Sequence, residues 1–154
     1  MKKKIIITYG TFDMFHIGHL KLLQRVKALA DELIVAVSTD EFNQKKGKKV
    51  MIPFAQRAEI VANIKCVDRV IPEDGWDQKI TDIQKYNIDL FAMGNDWEGE
   101  FDFLKEYCEV VYLKRTKNIS TTQLKKSLTN FMSIPKEDII NAFEVIELLK
   151  KDFE

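Results

Sequence analysis

The segment from residue 5 to residue 37 constrains the fold most. It holds a compact β-branched run at 5–9, a turn at 10–15, a helical period over 18–30 carried by Leu20, Leu23, Val26, Leu29 and Ala30, and a second apolar run at 33–37. Both runs are apolar at successive positions, as in strands covered on both faces. Strand, helix and strand in so short a span imply a parallel pair joined by a right-handed crossover. The pattern then recurs, with a helix over 54–65 entered from Pro53, a strand at 69–72, a helix at 76–86, a strand at 89–93, a short helix at 101–107, a strand at 109–113 and a helix at 121–131. The alternation predicts a doubly wound, Rossmann-like α/β fold with a five-stranded parallel sheet and flanking helices. Residues 39–53 interrupt it, and the polar, basic run 43–49 reads as a mobile loop.

The pattern predicts one α/β domain over 1–132 and a C-terminal helical extension over 133–154. The extension opens with Pro135 and sets Ile139, Phe143, Ile146, Leu149 and Phe153 on one helical face, which must bury against this domain or a partner. It carries three lysines and six acids, so its net charge is −3 and the rest of the chain is +3. A formally neutral chain is not a general nucleic-acid binder, while a modestly basic core suits an anionic small molecule. Cys66 and Cys108 form no CxxC pair, which argues against a zinc site and for free thiols in a cytoplasmic protein. The apolar run after the N-terminal lysines is too short for a signal peptide, and no stretch reaches the ~20 apolar residues of a membrane span.

The chemistry concentrates in Gly10-Thr11-Phe12-Asp13-Met14-Phe15-His16-Ile17-Gly18-His19, between the first strand and the first helix. In a doubly wound fold ligands bind at the carboxyl ends of the strands, and a helix N-terminus there offers free N–H groups and a positive dipole end to phosphate. Gly10 and Gly18 let the backbone approach that phosphate. His16 and His19, the two histidines of the chain, lie three apart and can face one ligand as donors to phosphoryl oxygens. Their competing role is to cap the helix, and metal binding by the pair lacks a third ligand nearby. Asp13 is a candidate carboxylate for a metal or the acceptor, or else a turn-shaping residue. A second phosphate corner lies in Lys114-Arg115-Thr116-Lys117-Asn118-Ile119-Ser120-Thr121-Thr122, where Ser120 or Thr121 caps the last core helix beside Arg115.

His16-Ile17-Gly18-His19 resembles the HxGH signature of the nucleotidyltransferase superfamily. The segment 115–122 resembles the RTxGISTT run of cytidylyltransferases, with Asn118 in place of glycine. Met93-Gly94-Asn95-Asp96-Trp97-Glu98-Gly99-Glu100-Phe101-Asp102-Phe103-Leu104 resembles the MGxDWEGxFDFL segment of glycerol-3-phosphate cytidylyltransferases, with Asn95 at an often acidic position. The resemblance spans residues 4–130. It implies His16, His19, Lys46 and Arg115 as catalytic residues. Nucleotide binding falls to Tyr9, Gly10, Thr11, Phe12, Gly18, Lys46, Asp96, Arg115, Thr116, Ile119, Ser120 and Thr121. Acceptor binding falls to Asp13, Lys48, Arg57, Lys65, Trp76 and Asp96, Lys65 standing where the family often has arginine. Lysines of the 43–49 loop fold over the triphosphate, Lys45 and Lys49 remaining solvated. Trp76 and Trp97 frame the acceptor pocket or pack in the core.

The implied reaction is in-line attack of an acceptor phosphate oxygen on the α-phosphorus of CTP, with Mg²⁺, or Mn²⁺, bridging the phosphates. Glycerol 3-phosphate is the leading acceptor. Glycerol 2-phosphate, a longer polyol phosphate or a phosphorylated amino acid keeps the same chemistry, and transfer from ATP is a more distant possibility. A homodimer is implied, with the extension helix adding to its interface. A nucleotide sensor has no need of two histidines at the α-phosphate, and a tRNA synthetase fragment fails on size and on the absence of a basic RNA-binding surface.

Overall fold

A computed structural model describes residues 3–117 and 119–151. Asn118 and Phe153, which entered the sequence argument, lie outside the described residues. The chain forms two compact units, residues 1–119 and 120–154.

The first unit is the parallel sheet and its helices. In chain order it runs β1 (Ile5–Gly10), α1 (Ile17–Lys27), β2 (Glu32–Ser38), α2 (Asp40–Lys45), α3 (Phe54–Ala62), β3 (Arg69–Glu73), α4 (Gln78–Tyr86), β4 (Leu90–Gly94), two 3₁₀ turns (Asn95–Trp97 and Asp102–Glu106) and β5 (Glu109–Leu113). The second unit contains α5 (Thr121–Met132) and α6 (Lys136–Lys151).

The five strands are all parallel and ordered β3-β2-β1-β4-β5. The chain builds outward from β1 to β3, then returns to the other side of β1 with β4. The order therefore reverses between β1 and β4, and the carboxyl ends of those strands open the crevice where such sheets take ligands. Register brings Gly10 level with Val37, Ser38 level with Glu73, and Gly94 level with Leu113.

Successive side chains of each strand enter opposite cores. Ile7, Ile34 and Phe91 pack with Ile83 of α4 and Leu104 of the second 3₁₀ turn. Ile6, Leu33 and Val35 pack with Leu23 and Val26 of α1 and Val61 of α3. Helix layers on both faces explain why the strand sequences are apolar without alternation.

Three local expectations need correction. Residues 40–45 are helical, not loop: Thr39 caps them by accepting the Phe42 N–H at 3.3 Å, and Phe42 and Asn43 are buried. One apolar residue in a six-residue helix leaves no period to read. The 101–107 helix is a 3₁₀ turn at Asp102–Glu106, and the 76–86 helix begins at Gln78.

Phe91 is fully buried, with its ring 5.6 Å from Tyr9 and 5.2 Å from Phe101. Phe91→Ala should lower the unfolding free energy by ~4 kcal/mol, read from urea denaturation with an unchanged slope.

Candidate active site at the β1–β4 crevice

The turn after β1 carries the site. Its left-handed residues are Phe12 (φ 52°) and Met14 (φ 49°), not the glycines. Gly10 and Gly18 are required by space. A Cβ on Gly10 would meet the Phe12 ring at 2.8 Å, and one on Gly18 would meet the His16 ring at 2.8 Å and Ile119 Cγ2 at 3.0 Å. Both glycines thus let an aromatic ring of their own motif lie against the backbone.

His16 is the N-cap of α1, and its Nδ1 accepts the Gly18 N–H at 3.0 Å. The His16 N–H in turn donates to His19 Nδ1 at 3.2 Å. The two rings stack with centroids 3.9 Å apart and planes 22° apart, and Phe12 closes edge-on against His19 at 5.5 Å. With both Nδ1 atoms accepting backbone N–H groups, each neutral ring carries its proton on Nε2. Capping therefore uses Nδ1 of each ring and not Nε2. Burial lowers the pKa of His16, and burial with the adjoining His16 ring brings His19 down to about 4.

Lys46 is not a mobile loop residue. It is the C-cap of α2, and its ammonium donates to Ser38 Oγ at 3.0 Å, lies 3.8 Å from Glu73 Oε2 and sits 4.2 Å over the Phe42 ring. Burial lowers its pKa to about 8. Glu73, the last residue of β3, also accepts from Ser38 Oγ and pairs with Lys79 Nζ at 2.8 Å. Lys79 is 1% exposed, and its ammonium lies 4.5 Å from the Tyr9 ring, 5.0 Å from Trp76 and 5.4 Å from Phe101. Tyr9 donates its hydroxyl to Asp82 at 2.8 Å, and burial and that carboxylate raise its pKa. Trp76 stands between Phe42 and Trp97, at 5.3 and 5.9 Å, and Lys48 lies 6.0 Å over Trp97.

Glu73, Lys79 and Asp82 were not among the candidates from sequence. The readable signal was an acid at the carboxyl end of a strand; nothing in the polar surroundings of α4 marks Lys79 and Asp82 as buried.

Other candidates are placed differently from expectation. Arg57 does not face a ligand. It is 1% exposed and donates to Thr11 O at 2.6 Å, Ser38 O at 2.8 Å, Ile52 O at 2.7 Å and Asp40 Oδ1 at 2.7 Å. Asp13, 3% exposed, accepts the N–H groups of Met51 and Ile52 at 2.8 and 3.0 Å, one on each oxygen. This is a turn-fastening role, and it does not fit an open metal ligand. Among the described residues no group of three metal-ligating side chains exists. Lys65 is exposed just before β3, near Asp68, which accepts the Leu33 N–H at the start of β2. That is the amino edge of the sheet, roughly 16 Å along the strand from the crevice by strand rise. Tyr9 turns its side chain into the core, and Thr11 donates its hydroxyl to buried Asn43 at 2.9 Å. Arg115 pairs with Asp96 at 3.1 Å, both well exposed, so the two come together without a strong mutual hold. Thr116 is half-buried, Ile119 lies at Gly18, and Ser120 caps α5 by accepting the Gln123 N–H at 3.2 Å.

The His19 pKa has a consequence for stability. An unfolded histidine titrates near 6.5, so between that value and about 4 the unfolded chain binds more protons and stability falls as pH falls. The urea midpoint should decline from pH 7 to pH 5, and His19→Gln should flatten the decline. Equal steepness in that variant would rule out the buried imidazole as its source.

Residues 7–127 match the family model described as cytidylyltransferase-like. The chain is 59% identical over 130 residues to glycerol-3-phosphate cytidylyltransferase of Bacillus spizizenii, covering 84% of this chain and 99% of that one. Its identity to the Staphylococcus aureus protein of the same name is 57% over 125 residues, covering 81% and 95%. FAD synthase of Thermococcus sibiricus is 31% identical over 157 residues, covering 99% and 97%. A solved lipopolysaccharide core biosynthesis protein from Thermoplasma volcanium shares the fold, with a TM-score of 0.65 and 24% identity over 77% of this chain and all of that one. With the HxGH turn at the β1–β4 crevice, these matches establish that the chain belongs to the cytidylyltransferase-like family of nucleotidyltransferases.

Proposed function

We propose that this enzyme transfers CMP from CTP to glycerol 3-phosphate, forming CDP-glycerol and pyrophosphate. The observation that carries the chemistry is the stacked His16–His19 pair, whose Nδ1 atoms are engaged by backbone N–H groups. The acceptor is read from the relatives named as glycerol-3-phosphate cytidylyltransferases.

A phosphate oxygen of the acceptor attacks the α-phosphorus, forming one P–O bond as the bond to pyrophosphate breaks. The attacking group is already an anion, so no general base is needed, and catalysis is positioning and charge stabilisation. His16 and His19 donate from Nε2 to the α-phosphoryl oxygens as charge grows there. Two rings 3.9 Å apart cannot easily both be cations, and their lowered pKa values suit neutral donors.

Backbone N–H groups at Gly10, Thr11 and Phe12 lie at the end of β1 beside the start of α1, where phosphate binds well, while the Gly18 N–H stays on His16 Nδ1. Lys46 and Lys48 approach the β- and γ-phosphates, with Arg115, Thr116 and Ile119 completing the nucleotide site in this unit. For Arg115 this means leaving Asp96, which then accepts from a sugar or acceptor hydroxyl. Exposed Trp76 contacts the acceptor, and buried Lys79 holds Glu73 in place behind it. A divalent cation such as Mg²⁺ or Mn²⁺ would supply charge neutralisation to the phosphates, and among the described residues no group of three ligating side chains would hold it by itself.

We read residues 1–132 as the catalytic domain and 133–154 as its extension, a division supported by the family match ending at residue 127. Free Cys66 and Cys108 support a cytoplasmic setting, and among the described residues no helix is long and apolar enough to cross a membrane. The assembly is read as a homodimer, supported by the apolar side chains that α5 and α6 leave exposed.

With CTP and Mg²⁺, pyrophosphate release should be fastest with glycerol 3-phosphate in a panel that includes glycerol 2-phosphate, longer polyol phosphates and phosphoserine. His16→Ala or His19→Ala should lower kcat by ~10²–10³ while leaving nucleotide affinity close to wild type. Faster turnover of another acceptor would move the substrate and keep the chemistry. Release from ATP alone would sink the reading.

Lys46 loses its charge above about pH 8 in the free enzyme. The kcat/KM profile should therefore fall on the alkaline side of pH 8, and Lys46→Arg, whose guanidinium stays charged, should lose that limb.

A further inference from the structure

β2 and β3 end side by side, with Ser38 level with Glu73. The buried Glu73 carboxylate meets three side chains there. Ser38 Oγ donates to its Oε2, the Lys79 ammonium donates to its Oε1 at 2.8 Å, and the Lys46 ammonium stands 3.8 Å from Oε2. One carboxylate thus faces two cations, and it holds them unequally. Lys79 makes a direct hydrogen-bonded pair and is closed in by the Tyr9, Trp76 and Phe101 rings. Lys46 is drawn across a gap, and the hydrogen-bonded link between it and Glu73 runs through Ser38 Oγ.

An ammonium has three donors. Among the described residues Lys46 uses one of them, on Ser38 Oγ at 3.0 Å, so two are left for phosphate oxygens. Its side chain is only 10% exposed, and a lysine so placed needs a countercharge to remain a cation. Burial lowers its pKa, Glu73 of β3 acts against that, and Lys48 after α2, Lys79 of α4 and Arg57 of α3 add to the lowering. Glu73 is the one anion in that set. Its main chain has separate work, since its carbonyl accepts the Thr39 N–H at 3.0 Å and the Thr39 hydroxyl at 3.3 Å where α2 begins. A change of side chain leaves those ties in place.

We infer that Glu73 is a positioning residue of the reaction: anchored by Lys79, its side chain holds the Lys46 ammonium at the carboxyl end of β2 for the phosphates of the nucleotide. Glu73 touches no substrate and acts through Lys46. The inference rests on the proposed transfer from CTP and goes past it by naming the group that fixes the place and the charge of Lys46.

Two readings of the full chain test it. The first is NMR titration of protein carrying carbon-13 at lysine Cε, with the Lys46 signal assigned by its loss in Lys46→Arg. Lys46 should titrate at about pH 8 in wild type. Glu73→Gln, of the same shape without the charge, should lower that midpoint by about one pH unit or more. Glu73→Asp keeps the charge and draws it back by one methylene, so its midpoint should fall between the two. Lys79→Met removes an opposing cation and leaves Glu73 to Lys46, so it should raise the midpoint.

The second reading is the alkaline limb of kcat/KM for CTP with glycerol 3-phosphate. The limb should follow the NMR midpoint in every variant, and Glu73→Gln/Lys46→Arg should show none. Above both midpoints Glu73→Gln should be about tenfold slower than wild type at equal pH, as a shift of one unit requires. A Lys46 titration that Glu73→Gln leaves unmoved, or that Glu73→Gln and Lys79→Met move in the same direction, would overturn the inference and leave the CTP reaction standing. A moved titration with a stationary kinetic limb would remove Glu73 from the reaction and overturn it too. Wild type that releases no pyrophosphate from CTP would overturn the proposed reaction, and the inference with it, whatever the titration shows.

Discussion

The catalytic edge of the sheet hangs on one buried guanidinium. Arg57 donates to the carbonyls of Thr11 after β1, Ser38 at the end of β2 and Ile52 before α3, and to the carboxylate of Asp40 in α2. Those four acceptors belong to separate segments, and each must stay within hydrogen-bond reach of one rigid planar group. Asp13 adds a second tie from the motif turn to the chain at Met51 and Ile52. Together they fix where the β1 turn begins and how α2 lies over it. Without them, the strained turn through Phe12 and Met14 would lack the support that left-handed non-glycine residues need.

A carboxylate organises the other side of the crevice. Glu73 ends β3 and gathers Ser38, Lys46 and Lys79, while Asp82 holds the Tyr9 hydroxyl close by. Burying such groups contributes little to stability in itself, since desolvation offsets most of the attraction. It does place two ammonium groups in fixed positions against the Phe42, Trp76 and Tyr9 rings before substrate arrives. Preorganised cations suit a reaction whose substrates are both phosphorylated, because little rearrangement is left for the moment of transfer. In the proposed reaction the neutral histidine pair complements them by donating hydrogen bonds without adding charge.

The parts of this design that were legible in sequence are local ones. Apolar runs announced β1 to β5, and the window from Gly10 to His19 announced the turn and cap between β1 and α1, because strand, turn and cap each depend on residues close in the chain. Long-range placement was not legible. Arg57 looked like a ligand-binding arginine because residue type alone does not show that its acceptors are carbonyls from three distant segments. Lys65 looked like a site residue, yet its position before β3 puts it at the amino edge. Lys46 sits in a basic run that reads as solvated, and its burial depends on Phe42, Glu73 and Trp76, which come from different elements.

The sequence by itself determined the class of sheet, the family and the place of the motif turn, since all three are written in short runs of adjacent residues. Tertiary structure alone decided which strand ends face one another, which charges are buried and which glycines exist for packing. The physical reason is that β1 and β4 come side by side, with β3 one strand beyond β1 across β2, only after the chain has crossed the sheet in the order β3-β2-β1-β4-β5. Glu73, Lys79 and Asp82 acquire their partners there, through contacts that no local pattern encodes.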